Sequence, residues 1–446
     1  ERTVLGKWTG VSGRIVAGLS SFGFGGTNAH VVVEEAAPWS TEDSSHGVAL
    51  GTSELQNKKV AFLFTGQGSQ YVGMGKGLYD TEMVFKAAIT ECDGILSGLW
   101  GRSLLSIIFP DASDDVSLIN ETMYSQPALF ALEYSLAMLW KSKGVMPDAL
   151  LGHSAGEYVA VCVSGALSLK DGLALIVERA RLMQSLPKQD GCMMAVRASE
   201  EVVLKAIRET AGLEGVSIAA INGPKSLVVS GPTASVELLL RNLNLVGKAL
   251  TVSHAFHSPL MAPAASELAG VVEKIKVGSP SIPVVTNVTG QVVTDAELCS
   301  GQHWAQHLVG GVRFADGMNT LRGLGCEVFV EVGPEPTLIK MGRQCLTGAR
   351  DFVWLASLDR KDEGVFAKTA AELLKVECAD GVAVGSSVVA AAGPGDAFRP
   401  FSPYKRQPFP WHEVRHPLLQ MKSTTADGVV IYLSLIHISE PTRRTP

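Results

Sequence analysis

Residues 149–163 read ALLGHSAGEYVAVCV: an apolar run, a turn of small residues around Ser154, and then a helix-forming run. Few folds accommodate that succession. A serine with glycine two positions before it and two after, between strand and helix, is the pattern of a nucleophile elbow. The turn is tight and its backbone must approach a partner segment closely, so small residues are required there. The serine hydroxyl then stands clear at the strand end. The next amide, that of Ala155, points from a helix N-terminus toward any oxyanion that forms. The flanking His153 and Glu157 make GHSAGE far narrower than a bare GxSxG.

The surrounding pattern is that of an α/β protein. From VAFLF at 60–64 to about residue 187, strand-like and helix-like segments alternate, as in a mainly parallel, doubly wound sheet. In TMYSQPALFALEYSLAMLW apolar residues recur at helical spacing after Pro127, and Ser168-Leu-Lys-Asp171 reads as a capping-box start. Between 192 and 254 the order changes to βαββαβ, with strands at MMAVRA, VSIAAING, KSLVVSG and GKALTVSHA, which is the ferredoxin-like signature. Alternation then resumes with a helix at 263–275, a strand at VVTNV, a helix near 303–308 and a strand at CEVFVEVG. The expected fold is a large α/β-hydrolase-like domain with a parallel sheet (59–190 and 255–355) carrying an inserted ferredoxin-like subdomain (191–254). A further helix beyond about 360 leads into GVAVGSSVVAAAGPG, which reads as linker.

Composition narrows the class. At 446 residues the chain has room for two or three domains, and its formal charge of −6 argues against a nucleic-acid or membrane-surface binder. Seven scattered cysteines with no CxxC pair and no metal-ligand spacing imply a reducing, cytoplasmic compartment and no metal site. No apolar run reaches the roughly 18 residues of a membrane span. The opening ERTVLGKW has neither an initiator Met nor a signal peptide, so a piece of a larger protein is expected.

A serine at neutral pH needs a base within reach. The best placed is His257 in SHAFHSPLM, where the chain returns from the inserted subdomain; His254 competes with it. TGQGSQYVGMG at 65–75 directly follows a strand, so the amide of Gln67 can be the second oxyanion donor. A phosphate loop is the alternative there, weakened by the lack of a following GK[ST]. Arg179 lies on the flank of a helical stripe formed by Leu173, Ile176, Ala180 and Met183, whereas Arg181 points to another side. A planar guanidinium with paired N–H donors suits a substrate carboxylate.

Together, GQGSQ, GHSAGE, the RARLM arginine and HAFHS resemble the malonyl-type acyltransferase domain of polyketide and fatty acid synthases, over about 59–355. The resemblance implies Ser154 as acyl-carrying nucleophile, His257 as general base and acid, Gln67 and Ala155 as oxyanion amides, and Arg179 as the clamp on the malonyl carboxylate. It implies Gln126 in YSQPAL as a pocket residue. It also implies that a main-chain carbonyl, placed at His307 in HLVGGVRF, orients the catalytic histidine. Gly311 stands where the family usually has Pro, so a looser loop is expected. HAFH at 254–257 resembles the malonyl-selecting form, with His254 in the substrate-binding segment and Phe256 filling the space of an α-methyl branch; Ala155 and ETMYSQ agree. The implied substrates are malonyl-CoA and the phosphopantetheine of an acyl carrier protein, with no bound cofactor.

The flanks carry further resemblances. SSFGFGGTNAHVVVEEAAP at 20–38 is similar to the C-terminal end of a ketosynthase domain (1–38), whose catalytic residues would lie upstream, so His30 is not catalytic. A linker (39–58) follows, shorter than the folded linker usual in such synthases. FRPFSPYKRQPFPWHEVRHPLL resembles a post-acyltransferase linker (356–415) and the start of a dehydratase region (416–432), although Pro408 and Pro410 interrupt its aromatic pattern. LSLIHISEPTRRTP at 433–446 fits nothing before it and is set apart as non-native. The rivals are a thioesterase or other hydrolase using the same elbow, and a catalytically silent synthase fragment.

Overall fold

The computed structural model describes residues 58–111, 114–187, 190–348 and 352–373, with five short strands outside that span. The chain divides into two units, residues 50–385 and the two terminal stretches 1–49 and 386–446. The terminal unit contains an antiparallel pair, Val16–Phe22 with Asn28–Glu34, in which His30 sits opposite Ser20. It also contains an antiparallel set of His412–Glu413, Met421–Thr424 and Val430–Leu433. The 39–57 linker, GVAVGSSVVAAAGPG, the Pro408 and Pro410 segment and 434–446 lie outside the described residues.

The larger unit is built on a five-stranded parallel sheet. Its order is Val353–Ala356, Cys326–Val332, Lys59–Phe64, Ala149–Gly152 and Val284–Val285. The central strands are buried on both faces, which is why VAFLF and VFVEV read as near-continuous apolar runs. Phe62, Leu63 and Phe64 are fully buried. The long helix Thr122–Ser142 packs against Leu169–Ser185, and its Trp140 indole N–H donates to Ser357 Oγ at 2.8 Å. Pro127 lies inside that helix, which starts five residues before the proline. Ser168 caps the second helix, its hydroxyl accepting from the Asp171 N–H at 3.1 Å.

The inserted subdomain is a four-stranded antiparallel sheet ordered Ser217–Gly223, Ser226–Pro232, Gly191–Val196, Lys248–Ala249. Helices Glu200–Glu209 and Thr233–Asn242 complete the βαββαβ unit. Two expected strands are much shorter than their apolar patterns. The last subdomain strand ends at Ala249, and the remainder of GKALTVSHA leaves the ladder for the cleft. In VVTNV only Val284–Val285 pairs, because the Asn287 N–H is taken by the Glu157 carboxylate instead of a neighbouring strand. Three short helices not expected from the sequence, Asp295–Leu298, Phe314–Gly323 and Leu338–Cys345, connect and cover the sheet. Among the described residues no helix is long and apolar enough to cross a membrane.

Candidate active site

Phe64 and Gly152 are paired neighbours at the carboxyl edge of the parallel sheet. The chain leaves that edge twice, once into Thr65-Gly66-Gln67 and once into His153-Ser154, so topology alone sets the glutamine loop beside the serine. Ser154 adopts φ 53°, left-handed backbone in a non-glycine residue. Such a conformation costs about 1–3 kcal/mol and survives only where its surroundings over-determine it. Here they do. A Cβ on Gly152 would fall 2.0 Å from the Glu157 nitrogen, and one on Gly156 would fall 2.4 Å from the Phe64 carbonyl oxygen. No residue but glycine fits either position.

Asn287 braces the same turn. Its Oδ1 accepts from the Ser154 N–H at 2.6 Å, its Nδ2 donates to the Gly152 carbonyl at 2.7 Å, and its own N–H donates to Glu157 Oε2 at 2.6 Å. Glu157 is fully buried, yet the His307 and His303 imidazoles and the Asn287 N–H outweigh the burial and lower its carboxyl to about 2. His307 Nε2 lies 3.2 Å from Glu157 Oε2, and burial pushes the His307 pKa down against the pull of that carboxylate. Glu157 is therefore the ionised member of the pair.

His257 Nε2 sits 2.8 Å from Ser154 Oγ, and His257 Nδ1 sits 2.8 Å from the Gly310 carbonyl oxygen. A carbonyl can only accept, so Nδ1 carries the proton and the lone pair of Nε2 faces the serine hydroxyl. Burial, reinforced by the Arg179 charge, holds the imidazole well below the usual histidine range, in its neutral form. His257 has φ 54°, and its carbonyl is tied by the Ser217 hydroxyl at 2.8 Å. The orienting carbonyl is thus that of Gly310, not of His307. Helix Gly301–Val309 ends just before Gly310, whose extended backbone turns its carbonyl out of the helix, while the His307 side chain is committed to Glu157. Nor is the loop loose. A Cβ on Gly311 would fall 2.2 Å from the Ile218 carbonyl oxygen, and Val312 exchanges backbone hydrogen bonds with Ala219 and Ile221.

Arg179 is only 1% exposed, and Arg181 instead pairs with Glu178 at the surface. Arg179 Nη2 donates to Ser154 Oγ at 3.1 Å and Nη1 to Gln126 Oε1 at 2.6 Å, with the guanidinium carbon 5.3 Å from the Tyr158 ring centroid. Among the described residues no carboxylate lies within ion-pair distance of it, and its Nε has no hydrogen-bond partner. Burial lowers its pKa, opposed by Tyr158 and Glu157. A buried cation lacking a counter-ion costs several kcal/mol unless an anion completes it.

The remaining expected residues divide. The backbone N–H groups of Gln67 and Ala155 have no protein acceptor among the described residues. Phe256 is buried beside His254, ring centroids 6.1 Å apart. His254, expected in the substrate-binding segment, has both ring nitrogens engaged, Nε2 with the Leu186 carbonyl and Nδ1 with Ser253 Oγ, both at 3.0 Å. Only its ring face is left for a ligand.

Asn287, the buried Glu157–His307 contact and Glu133 escaped the sequence reading. Glu133 Oε1 accepts from the Thr65 N–H at 3.0 Å and from the Thr65 hydroxyl, bracing the loop that carries Gln67. Burial raises its pKa well above the usual carboxylate value, against the pull of the Thr65 hydrogen bonds. A lone acid inside PALFALEYSLAMLW and a lone amide inside VVTNV were the available signals. Among the described residues no cluster of three His, Cys, Asp or Glu is arranged to hold a metal ion.

The family model described as acyl transferase domain matches residues 61–384. Polyketide synthase GfsA of Streptomyces halstedii is 44% identical over 301 residues, covering 65% of this chain and 4% of that protein. The acyltransferase domain from the second module of the salinomycin polyketide synthase superposes with a TM-score of 0.66 at 39% identity, covering 72% of this chain and 74% of that one. A malonyl-transacylase solved with a type II polyketide synthase acyl-carrier protein gives 0.62 at 28% identity, covering 68% and 97%. The chain spans less than a fifth of the length of the curated relatives it matches. A strained serine elbow, a carbonyl-oriented histidine and a buried arginine beside the serine therefore stand in a chain that belongs to the acyltransferase domain family of type I polyketide synthases.

Proposed function

We propose that this domain transfers malonyl from malonyl-CoA to the phosphopantetheine thiol of an acyl carrier protein. The observation that carries the choice of acyl group is Arg179, a buried cation with no carboxylate partner among the described residues, 3.1 Å from the serine oxygen. Malonyl sets its carboxylate one carbon from the thioester carbonyl, so a guanidinium adjacent to the nucleophile matches that short span.

In the first step His257 Nε2 takes the Ser154 proton as Oγ attacks the thioester carbon. The amides of Gln67 and Ala155 receive the developing oxyanion. The carbon–sulfur bond breaks, the imidazolium protonates the departing thiolate, and a serine ester remains. In the second step His257 deprotonates the carrier thiol, the new carbon–sulfur bond forms, and the proton returns to Ser154. Arg179 holds the distal carboxylate throughout, leaving its contact with Oγ for the substrate. Gln126 aligns the guanidinium. Phe256 and Ala155 narrow the space beside the α-carbon, and excluding one methyl is worth about 1–3 kcal/mol, a preference for malonyl over methylmalonyl. The carrier protein is the expected partner, with ketosynthase and dehydratase domains in the same synthase and a cytoplasmic setting.

A hydrolase would need to admit water and to direct the ester to it; a clamp for a free carboxylate has no part in that. The test is intact mass measured after incubation with malonyl-, methylmalonyl- and acetyl-CoA. A malonyl adduct that disappears in Ser154→Ala supports the reading, and no adduct from any donor overturns it.

A further inference from the structure

From Arg179 a single chain of polar contacts leads out of the pocket. Arg179 Nη1 donates to Gln126 Oε1 at 2.6 Å, Gln126 Nε2 to Gln67 Oε1 at 3.0 Å, and Gln67 Nε2 to Thr122 Oγ1 at 3.1 Å. Thr122 Oγ1 lies 3.2 Å from Ser253 Oγ, which lies 3.0 Å from His254 Nδ1, and His254 Nε2 reaches the Leu186 carbonyl at 3.0 Å. One end of this chain is a guanidinium, which can only donate; the other is a carbonyl, which can only accept. The carbonyl sets a proton on His254 Nε2, so in that tautomer Nδ1 accepts from Ser253, and Ser253 accepts from Thr122. Every bond then runs the same way. Turning the Gln67 carboxamide over would set its nitrogen against that of Gln126, and turning both would set a nitrogen against Arg179.

We propose that Thr122 and Ser253 are positioning residues that anchor the Gln67 and Gln126 carboxamides and so hold Arg179 in register with Ser154. Thr122 opens the long helix of the parallel-sheet body, whereas Ser253 lies on the segment that returns from the four-stranded sheet. The relay thus ties the arginine to the segment that carries Phe256 and His257. Thr122 is buried and Gln67 half-buried, so loss of the Thr122 hydroxyl takes away the acceptor of the Gln67 amide nitrogen, whereas Ser253 is exposed and water can partly replace it. The inference rests on the reading of Arg179 as the carboxylate clamp.

The test compares malonyl- and acetyl-CoA loading in Thr122→Val, Thr122→Ser, Ser253→Ala, the double variant Thr122→Val/Ser253→Ala, and Arg179→Met. Thr122→Val keeps the side-chain shape and should lower malonyl kcat/KM about tenfold, chiefly through KM, as expected for one lost hydrogen bond to a buried network. Acetyl loading should fall no more than about threefold in the same variant, and Thr122→Ser should restore malonyl loading to within about twofold. Ser253→Ala should cost malonyl about threefold alone and nothing further on top of Thr122→Val, because both act through one chain. Equal losses for the two donors in Thr122→Val, or failure of Thr122→Ser to rescue, overturns the relay provided Arg179→Met discriminates between donors. If Arg179→Met loses both donors equally, the clamp reading falls and the relay with it.

Discussion

The two sides of Ser154 are built on opposite principles. On the elbow side, Asn287 satisfies backbone groups of Ser154 and Gly152, and the Glu157 charge is met by His307, His303 and a backbone N–H. On the clamp side a guanidinium is buried with no carboxylate beside it among the described residues, and its Nε has no hydrogen-bond partner among them. The turn at Ser154 has its backbone braced without substrate, whereas among the described residues the guanidinium has no carboxylate and is completed by one that the substrate brings. Damage to the elbow should therefore reduce every acyl donor alike, whereas damage to the clamp should change the ratio between donors.

The largest effect expected is on the elbow. Gly152→Ala places a Cβ 2.0 Å from backbone nitrogen, a clash that no side-chain rearrangement relieves. It should cost more than about 4 kcal/mol of stability. Thermal unfolding and soluble yield measure it, and a near-native melting temperature would show that the turn yields. On the clamp side, Arg179→Ala should lower malonyl kcat/KM on the order of 100-fold, in line with truncating one partner of a buried charged contact. Acetyl loading should be much less affected; equal losses would make Arg179 a structural residue. Asn287→Ala comes next. It strands the Ser154 N–H and the Gly152 carbonyl, each worth about 1–3 kcal/mol when buried and unpaired. Malonyl and acetyl loading should fall together, and a changed donor ratio would contradict the division drawn above.

That division also explains what was legible in the sequence. The elbow glycines, Gln67 and the inward-facing arginine follow from spacing along one strand end or one helix face, and local geometry carried those expectations. So did the order of the βαββαβ insert, because its amphipathic periods change cleanly. What brings distant segments together was not legible. Asn287 meets the elbow from the end of the neighbouring strand, Glu133 meets Thr65 from the long helix, and Thr122 meets Ser253 on the segment that returns from the subdomain. Gly310 replaced His307 as the orienting carbonyl because the helix ends at Val309, and only the residue beyond that end turns its carbonyl outward. Gly311 is the converse case: the loop is drawn so close to Ile218 that no side chain fits, and the glycine holds it there.

The smallest effect expected joins the two sides through charge. Burial is the main reason the His257 pKa is low, and Arg179 is the next. The acylation rate requires neutral His257, since an imidazolium cannot take the serine proton. The rate should therefore stay flat as pH falls through the ordinary histidine range, and drop only below it, where His257 at last protonates. Replacing Arg179 by methionine removes the charge and keeps the pocket filled. The cation that disfavoured protonation is then gone, the His257 pKa rises, and the acid limb should move to higher pH. Acetyl-CoA is the donor for this measurement, because its acylation does not depend on the clamp. An acid limb that stays in place in Arg179→Met would mean that the arginine acts on bound carboxylate alone and leaves the base untouched.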